Sequence, residues 1–195
     1  MGRTIYNLYQ SYCDARHQRA EYYDPDGWYA TDEGWEKYQG NVFVAAGDPG
    51  HGPEQWFVPD LYLPRKQKPA IKSFDYYECS TFGVFSPRAI SALQSCFGGR
   101  FDTLPGTLEG HQYFFPRCLV RVDCLDRESS KIFYADDSAR TILNVKKHVF
   151  RDSKIPADPV IFAIPEMAFA LYCTESIPAI VEKAGLKGFK FCKVR

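Results

Sequence analysis

The chain has 195 residues, of which 45% are hydrophobic, 16% aromatic and 25% charged. This composition excludes a chain that is disordered throughout, because it supplies enough apolar material for a core that offsets the entropy of ordering. The 24 basic and 24 acidic residues give a net charge of zero. That balance argues against a general nucleic-acid binder, whose affinity comes from a basic surface.

The charge is unevenly distributed along the chain. Residues 1–60 contain ten acidic and four basic residues, a net charge of −6, so the remainder carries +6. An acidic front half on a neutral chain indicates a basic partner or self-complementarity. A solvated acidic surface is the alternative interpretation.

No targeting or membrane-spanning segment is visible in the sequence. The N-terminus lacks the apolar stretch of a secretion signal, and Tyr6 stands where a myristoylation motif has Ser or Thr. No apolar run approaches the roughly 18–20 residues that span a bilayer. The seven cysteines include no C-x-x-C pair, so we expect them to be reduced and structural. From the missing segments and the charge balance, we expect a cytoplasmic protein that binds neither membrane nor nucleic acid.

The first 85 residues contain more turn signals than regular elements. Thr4–Tyr12 is compatible with a strand or a helix, and the charged segment Asp14–Tyr23 is compatible with a helix. Asn41–Ala46 predicts a strand that ends in a glycine- and proline-rich loop. Leu61–Ala70, basic and interrupted by prolines, predicts an exposed connection, and Phe74–Phe85 predicts a partly extended segment.

The segment from Ser86 to Gly99 has the strongest helix signal in the chain. Ser86 can cap the helix, Pro87 suits the first helical position, and Gly98 with Gly99 provides a left-handed stop. Between these ends, apolar residues recur at helical spacing and predict one buried face.

After this helix, Phe101–Gly110 is interpreted as a loop, and short apolar runs alternate with turn signals. The predicted strands are Tyr113–Phe115, Leu119–Leu125, Ile132–Tyr134, Ile142–Val145, His148–Phe150 and Val160–Ile164.

A second helix follows Thr174 or Ser176, either of which can cap it. Gly185 ends this helix in a Schellman motif with Leu186, and a last strand begins at Phe189. These elements predict an α+β fold with a mostly antiparallel sheet and two or three flanking helices. We divide the chain into an aromatic, acidic N-terminal portion (1–67) and an α+β domain (68–195), with one continuous domain as the alternative.

No group of residues has the pattern of a known catalytic or metal site, so no cofactor or metal is expected. Asp123, Asp126 and Glu128 lie close together but lack the spacing of a calcium loop. Glu109 and His111 flank a glycine in a predicted loop, where a solvated surface is the simpler interpretation. A cysteine nucleophile could pair with a distant histidine in the fold. The candidate histidines are His17, His51, His111 and His148.

Aromatic and acidic residues alternate in the first forty residues, and this pattern favours protein binding. Tyr and Trp are enriched at binding hot spots, and surrounding carboxylates accelerate association with a basic partner. The alternative is that these aromatic side chains cover the core of the N-terminal portion. The candidate partner-binding residues are Tyr22, Tyr23, Asp24, Asp26, Trp28, Glu33, Trp35 and Glu36.

Several segments resemble a family of bacterial immunity proteins from polymorphic-toxin systems, immunity protein eleven, formerly a domain of unknown function. The resemblance covers roughly residues 68–194 and is carried by apolar and turn residues. The matching segments are Lys68–Tyr76, Gly83–Leu93, Val120–Ser130, Val160–Pro165 and Ala184–Phe191.

The resemblance implies a cytoplasmic antidote that binds a cognate toxin encoded by the adjacent gene and blocks its activity. It implies no catalytic residues and does not identify the toxin, and it leaves a homo-oligomer open. The alternative function is an enzyme or small-ligand binder that uses cysteine, histidine and carboxylate groups in a cleft. A deep cleft lined by these groups would favour the alternative.

Overall fold

A computed structural model describes residues 2–10, 21–22, 32–62, 74–79, 82–135 and 142–194. The helices are α1 (Asp32–Ala46), α2 (Pro87–Phe97) and α3 (Ile177–Lys183). The strands are β1 (Ile5–Gln10), β2 (Glu21–Tyr22), β3 (Asp60–Tyr62), β4 (Tyr76–Cys79), β5 (Phe82–Phe85), β6 (Phe101–Leu108), β7 (His111–Cys118), β8 (Lys131–Tyr134), β9 (Ile142–Lys147), β10 (Ile161–Ile164), β11 (Met167–Thr174) and β12 (Phe189–Lys193).

The strands form three sheets, with orders β2-β3-β6-β7-β5-β4, β10-β11-β1-β12 and β8-β9. β3 pairs with β6 in parallel, and the other pairings between named strands are antiparallel. The predicted α+β class with mostly antiparallel sheets is confirmed. Within the described residues, no helix is long and apolar enough to cross a membrane.

The strands β10, β11 and β1 of the four-stranded sheet pack against hydrophobic clusters on both faces. Leu8 of β1 packs with Leu171 and Cys173 of β11 in one hydrophobic cluster. Ile5 and Tyr172, from the same two strands, lie in another cluster. Successive side chains of a strand point to opposite faces, so the sheet separates these two clusters.

The central position of β1 joins the N-terminus to the C-terminal half. β1 pairs with β11 on one side and with β12 on the other, so residues 5–10 complete a sheet whose other strands come from residues 161–193. The division near residue 67 stays a prediction.

Helix α2 forms as predicted. The Ser86 hydroxyl accepts a hydrogen bond from the Ala89 N–H, Pro87 occupies the first turn, and Gly98 ends the helix in the left-handed conformation. Leu93 and Phe97 are buried against the cluster that contains Leu8.

Helix α3 ends as predicted but does not begin as predicted. The Leu186 N–H donates to the Val181 carbonyl and the Gly185 N–H donates to Glu182, which is the Schellman arrangement. Ser176 is the N-cap residue but makes no side-chain cap, because its hydroxyl donates to the Asp158 carboxylate instead.

The predicted strand at Asn41–Ala46 is wrong, because these residues form the end of α1. Asn41 is buried, and its side-chain amide donates to the Phe57 carbonyl and accepts from the Phe57 N–H. Val44 and Ala45 pack with Leu61 against the six-stranded sheet. Tertiary packing therefore overrides the strand preference of the two valines.

The predicted loop at Phe101–Gly110 is also wrong, because most of it is strand β6. Pro105 is tolerated since β3 pairs with β6 only from Thr107 onward, so the missing N–H removes no hydrogen bond to β3. Gly106 is required because a Cβ atom there would lie 2.4 Å from the Phe115 ring.

Two further strand predictions are wrong. Leu119–Leu125 and His148–Phe150 contain only an isolated bridge between Leu125 and Phe150. Cys124 and Leu125 are both buried in the cluster that contains Tyr172. Neighbouring residues that are both buried do not fit the alternation that predicted a strand.

Candidate protein-binding surfaces

The structure describes only part of the predicted partner-binding set. Glu33, Trp35 and Glu36 lie on the exposed first turns of α1, and Tyr22 lies in the short strand β2. The other predicted partner-binding residues fall outside the described residues. They are Tyr23, Asp24, Asp26 and Trp28.

The N-terminal end of α1 combines an exposed indole with carboxylates. Trp35 is 52% exposed, and its ring stacks on Tyr38 with centroids 5.6 Å apart. Glu33 accepts a hydrogen bond of 2.9 Å from the Lys37 ammonium group, so part of the acidic charge is neutralised locally. Acidic residues in the first turn also stabilise a helix, because they interact favourably with its dipole. The exposed ring of Trp35 is therefore the feature of this end that helix stability does not explain.

Trp56 fits the alternative interpretation, in which aromatic side chains of the N-terminal portion cover its core. Its indole N–H donates to the Pro105 carbonyl, and its ring meets Phe115 edge-on with centroids 4.9 Å apart. It packs on the cluster between α1 and the six-stranded sheet. Trp56 is thus a structural residue, while Trp35 is free to contact a partner.

The outer face of the β8–β9 hairpin is a second exposed surface, which the sequence analysis missed. The Lys146 ammonium nitrogen lies 4.4 Å from the centre of the Phe133 ring, and that of Lys131 lies 5.8 Å from it. Ile132 and Val145 point to the opposite side and pack on the cluster that contains Tyr172. The available sequence signal is that each strand combines lysine with large apolar residues and contains no acidic residue, K-I-F-Y in β8 and I-L-N-V-K-K in β9.

An apolar groove of about 400 Å³ lies between this hairpin and the turn that joins β10 to β11. Leu143 is 65% exposed at its edge, and Phe169 of β11 is 37% exposed. The residues that line the groove include Ile142, Leu143, Pro165, Glu166, Met167 and Phe169.

An ion pair fixes the turn beside the groove. The Glu166 side chain is fully buried, and its Oε1 accepts a 2.7 Å hydrogen bond from Nε of Arg127, which lies just before β8. Glu166 Oε2 has no hydrogen-bond partner among the residues that the structure describes. Arg127 therefore holds the hairpin and the β10–β11 turn together through one charged contact.

A buried polar group next to this ion pair contains a cysteine and a histidine. His148 Nε2 lies 3.0 Å from the Tyr172 hydroxyl. Burial, and then the charge of Glu166, raises the pKa of the Cys124 thiol to about 12. Burial lowers the pKa of His148. The thiol stays protonated at neutral pH, so this group lacks the thiolate that nucleophilic catalysis requires.

The candidate carboxylates Asp123, Asp126 and Glu128 line one open surface cavity, together with Arg127 and Arg151. Asp123 pairs with Arg151 at 3.0 Å, and Asp126 Oδ1 accepts backbone N–H bonds from Glu128 and Ser129. Within the described ranges, no group of three or more His, Cys, Asp or Glu residues is arranged to hold a metal ion.

Of the described candidate histidines, only His148 lies in the same region of the fold as a buried cysteine. His51 stacks on Phe43, His111 is exposed at the start of β7 next to the turn that contains Glu109, and His17 lies outside the described residues. Cys96, Cys118, Cys124 and Cys173 are buried free thiols, and burial raises the pKa of each. The expectation of reduced, structural cysteines is confirmed for these four.

Comparison with known proteins gives one family match. Residues 101–195 match the model described as Immunity protein family (Imm11). No curated protein sequence matches the chain. The match spans β6 to the C-terminus and includes the whole β8–β9 hairpin and three strands of the four-stranded sheet. The resemblance to bacterial immunity proteins is therefore confirmed over residues 101–195.

Proposed function

We propose that this chain is a cytoplasmic immunity protein that binds a cognate bacterial toxin, encoded by the adjacent gene, and neutralises it without catalysing a reaction. The match of residues 101–195 to the immunity family carries this proposal. An inhibitor of this kind needs a stable scaffold and an exposed binding surface. The four-stranded sheet provides the scaffold, and the two exposed aromatic surfaces are candidates for binding.

The alternative of an enzyme that uses cysteine, histidine and carboxylate groups receives less support. Cys124, His148 and Glu166 do lie in one region of the fold, but they are wholly or partly buried. The raised pKa of the Cys124 thiol opposes nucleophilic chemistry. A Cys124→Ala variant should therefore protect cells as well as the wild type does.

The proposal is tested by co-expression. The adjacent gene is expressed alone in a sensitive bacterium, then together with this protein, and growth is recorded. We expect growth to stop with the first gene alone and to recover with both. If this protein does not restore growth, or the adjacent gene is not toxic, the proposed function fails.

The predicted binding role of the acidic residues at α1 is tested separately. Glu33→Lys combined with Glu36→Lys should slow association with the toxin. The variant should stay folded and lose about 1 kcal/mol of stability, because Glu33 lies in the first turn of α1 and pairs with Lys37. Association kinetics at low salt provide the measurement. Unchanged association would remove this end of α1 from the interface.

A further inference from the structure

The β8–β9 hairpin presents positive charge that no acidic residue of these strands neutralises. Its two strands contain Lys131, Lys146 and Lys147 and no Asp or Glu. In the described part of the chain none of the three forms an ion pair, whereas Arg117, Arg127 and Arg151 all do. Surface charge that the protein leaves unpaired is available to a partner of opposite sign.

An aromatic ring holds two of these lysines on the outer face. Lys131 and Lys146 both lie over Phe133, within the distance at which a cation is attracted to a ring face. The ring limits the freedom of the two side chains before any partner arrives. Less side-chain entropy is therefore lost on binding than with two freely moving lysines.

The hairpin also borders an apolar groove through Ile142 and Leu143, and further exposed apolar side chains lie beyond it. Phe169 borders the groove beside Leu143 and also a small cleft formed with Ala45 and Cys118. Among the described residues, nine large apolar side chains are exposed. Six of them are in the hairpin, in the groove at Phe169 or in the two residues that follow Cys118. Those six are Leu119, Val120, Phe133, Tyr134, Leu143 and Phe169. Large exposed apolar patches with a polar rim mark interaction sites.

We infer that this surface, formed by the β8–β9 hairpin and the groove beside Phe169, is where the toxin docks, and that the toxin covers it with an acidic segment carrying an apolar anchor. Carboxylates of the toxin pair with Lys131 and Lys146. An aliphatic or aromatic side chain enters the groove between Leu143 and Phe169. The inference rests on the proposed function and names the chemistry of the contact.

Each half of this contact has a separate physical effect. The lysines attract the acidic segment over a distance and so mainly set the association rate, which salt reduces. The groove removes an apolar anchor from water and so mainly sets the dissociation rate. Variants in the two parts should therefore change different rate constants.

The experiment measures binding of the purified, catalytically inactivated product of the adjacent gene by biolayer interferometry. One variant combines Lys131→Glu with Lys146→Glu, and another carries Leu143→Asp. The control combines Lys154→Glu with Lys187→Glu, which makes the same change of charge at exposed lysines elsewhere. Circular dichroism and the unfolding temperature confirm that each variant is folded.

We expect the double lysine variant to lose affinity by about tenfold or more, mainly through slower association at low salt. Leu143→Asp should lose about tenfold through faster dissociation. The control should stay within about twofold of the wild type, because exposed charges far from an interface contribute little. Hydrogen exchange of the complex should show protection at residues 131–134, 142–147 and 167–170.

Three outcomes overturn the inference. Wild-type binding by both surface variants removes this face from the interface, as does hydrogen exchange protection confined to other segments. Binding of a short RNA that requires Lys131 and Lys146 but not Leu143, without any effect on toxin binding, assigns the face to a nucleic acid. If the variants bind normally while the wild type protects cells, the inference alone fails. If the wild type does not protect, the proposed function fails first.

Discussion

The four-stranded sheet and the β8–β9 hairpin lie largely within the family-matched residues, but they bury their side chains in opposite ways. β10 is buried at every position, and β1 and β11 contribute side chains to hydrophobic clusters on both faces of the sheet. In the hairpin, Val145 is buried while Lys131, Phe133, Lys146 and other outer residues are exposed.

This difference separates the residues that hold the fold from those that are free to specify a partner. Substitution of a buried side chain on either face of the sheet changes the packing of a hydrophobic cluster, and close-packed interiors tolerate little change of volume. Substitution on the outer face of the hairpin changes no core contact. The hairpin can therefore acquire a surface matched to one toxin at little cost in stability.

The largest expected effect is a proline substitution at Asn7 in the centre of β1. Asn7 pairs with Tyr172 on one side and Cys192 on the other, so a proline there removes a hydrogen bond between two paired strands. We expect no cooperative thermal unfolding transition for Asn7→Pro. The measurement is circular dichroism during heating.

Asn144→Pro is the matched control, because Asn144 lies in β9, which has a hydrogen-bonded partner strand on one side only. This variant should keep a cooperative transition at a lower temperature. Equal loss of structure in both variants would contradict the division between scaffold and hairpin.

A second pair of variants compares two phenylalanines. Phe162 of β10 is fully buried, and its ring stacks on Tyr172 with centroids 5.8 Å apart. Phe162→Ala should lower the free energy of unfolding by about 3–5 kcal/mol, because it leaves a cavity in the core. Urea unfolding measures the change.

Phe133→Ala in β8 should lower the free energy of unfolding by about 1 kcal/mol or less, since Phe133 is 37% exposed and belongs to none of the hydrophobic clusters of the described residues. The same variant should weaken binding of the toxin. A loss of stability comparable to that of Phe162→Ala would show that the hairpin face is part of the core.

The elements that sequence predicted correctly are those whose signals are local. For α2, the Ser86 cap, Pro87 and the Gly98 stop lie within a few residues of the helix they delimit. The Schellman motif at Gly185 is equally local. Such signals act through hydrogen bonds between near neighbours, so they can be read without knowing the fold.

The wrong or undecided predictions concern segments whose structure depends on residues far away in the sequence. The sequence alone does not distinguish a helix from a strand at β1, because Ile5 and Leu8 are buried in two different clusters that form only when β11 and β12 pair with β1. Asn41 is helical and buried because Phe57 satisfies its amide. These partners are 16 or more residues away and leave no local pattern.

The binding surfaces divide in the same way. The alternation of aromatic and acidic residues predicts Glu33, Trp35 and Glu36 as partner-binding residues, but the sequence analysis does not predict the helix that exposes them together. The hairpin face depends on the register that places Lys131 opposite Lys147, and on a ring that brings Lys146 to Lys131. The groove requires β11, which the sequence analysis did not predict as a strand.

A smaller effect is expected at the ion pair that links the hairpin to the sheet. Arg127→Ala removes the hydrogen bond to the fully buried Glu166 carboxylate and leaves both of its oxygens without a partner. We expect a loss of about 1.5–3 kcal/mol, the range for hydrogen bonds to charged groups, measured by urea unfolding. Combining Arg127→Ala with Glu166→Gln should recover part of this loss, because a neutral side chain costs less to bury. No recovery would show that Arg127 acts through its packing instead.

The smallest expected effect is a pH dependence of stability at a second contact between the hairpin and the sheet. There His148, which follows β9, lies beside the hydroxyl of Tyr172 in β11. Burial lowers the pKa of His148 below its ordinary value of 6.5, so between these two values the unfolded chain binds a proton that the folded chain does not. Stability from this group is therefore complete above about pH 6.5 and decreases as pH falls through the folded pKa. Wild-type unfolding temperatures should decrease between about pH 7.5 and 5.5, and the slope should be shallower in His148→Gln, which keeps a polar side chain and cannot titrate. Equal slopes in the two proteins would show that carboxylates, rather than this contact between hairpin and sheet, set the response to acid.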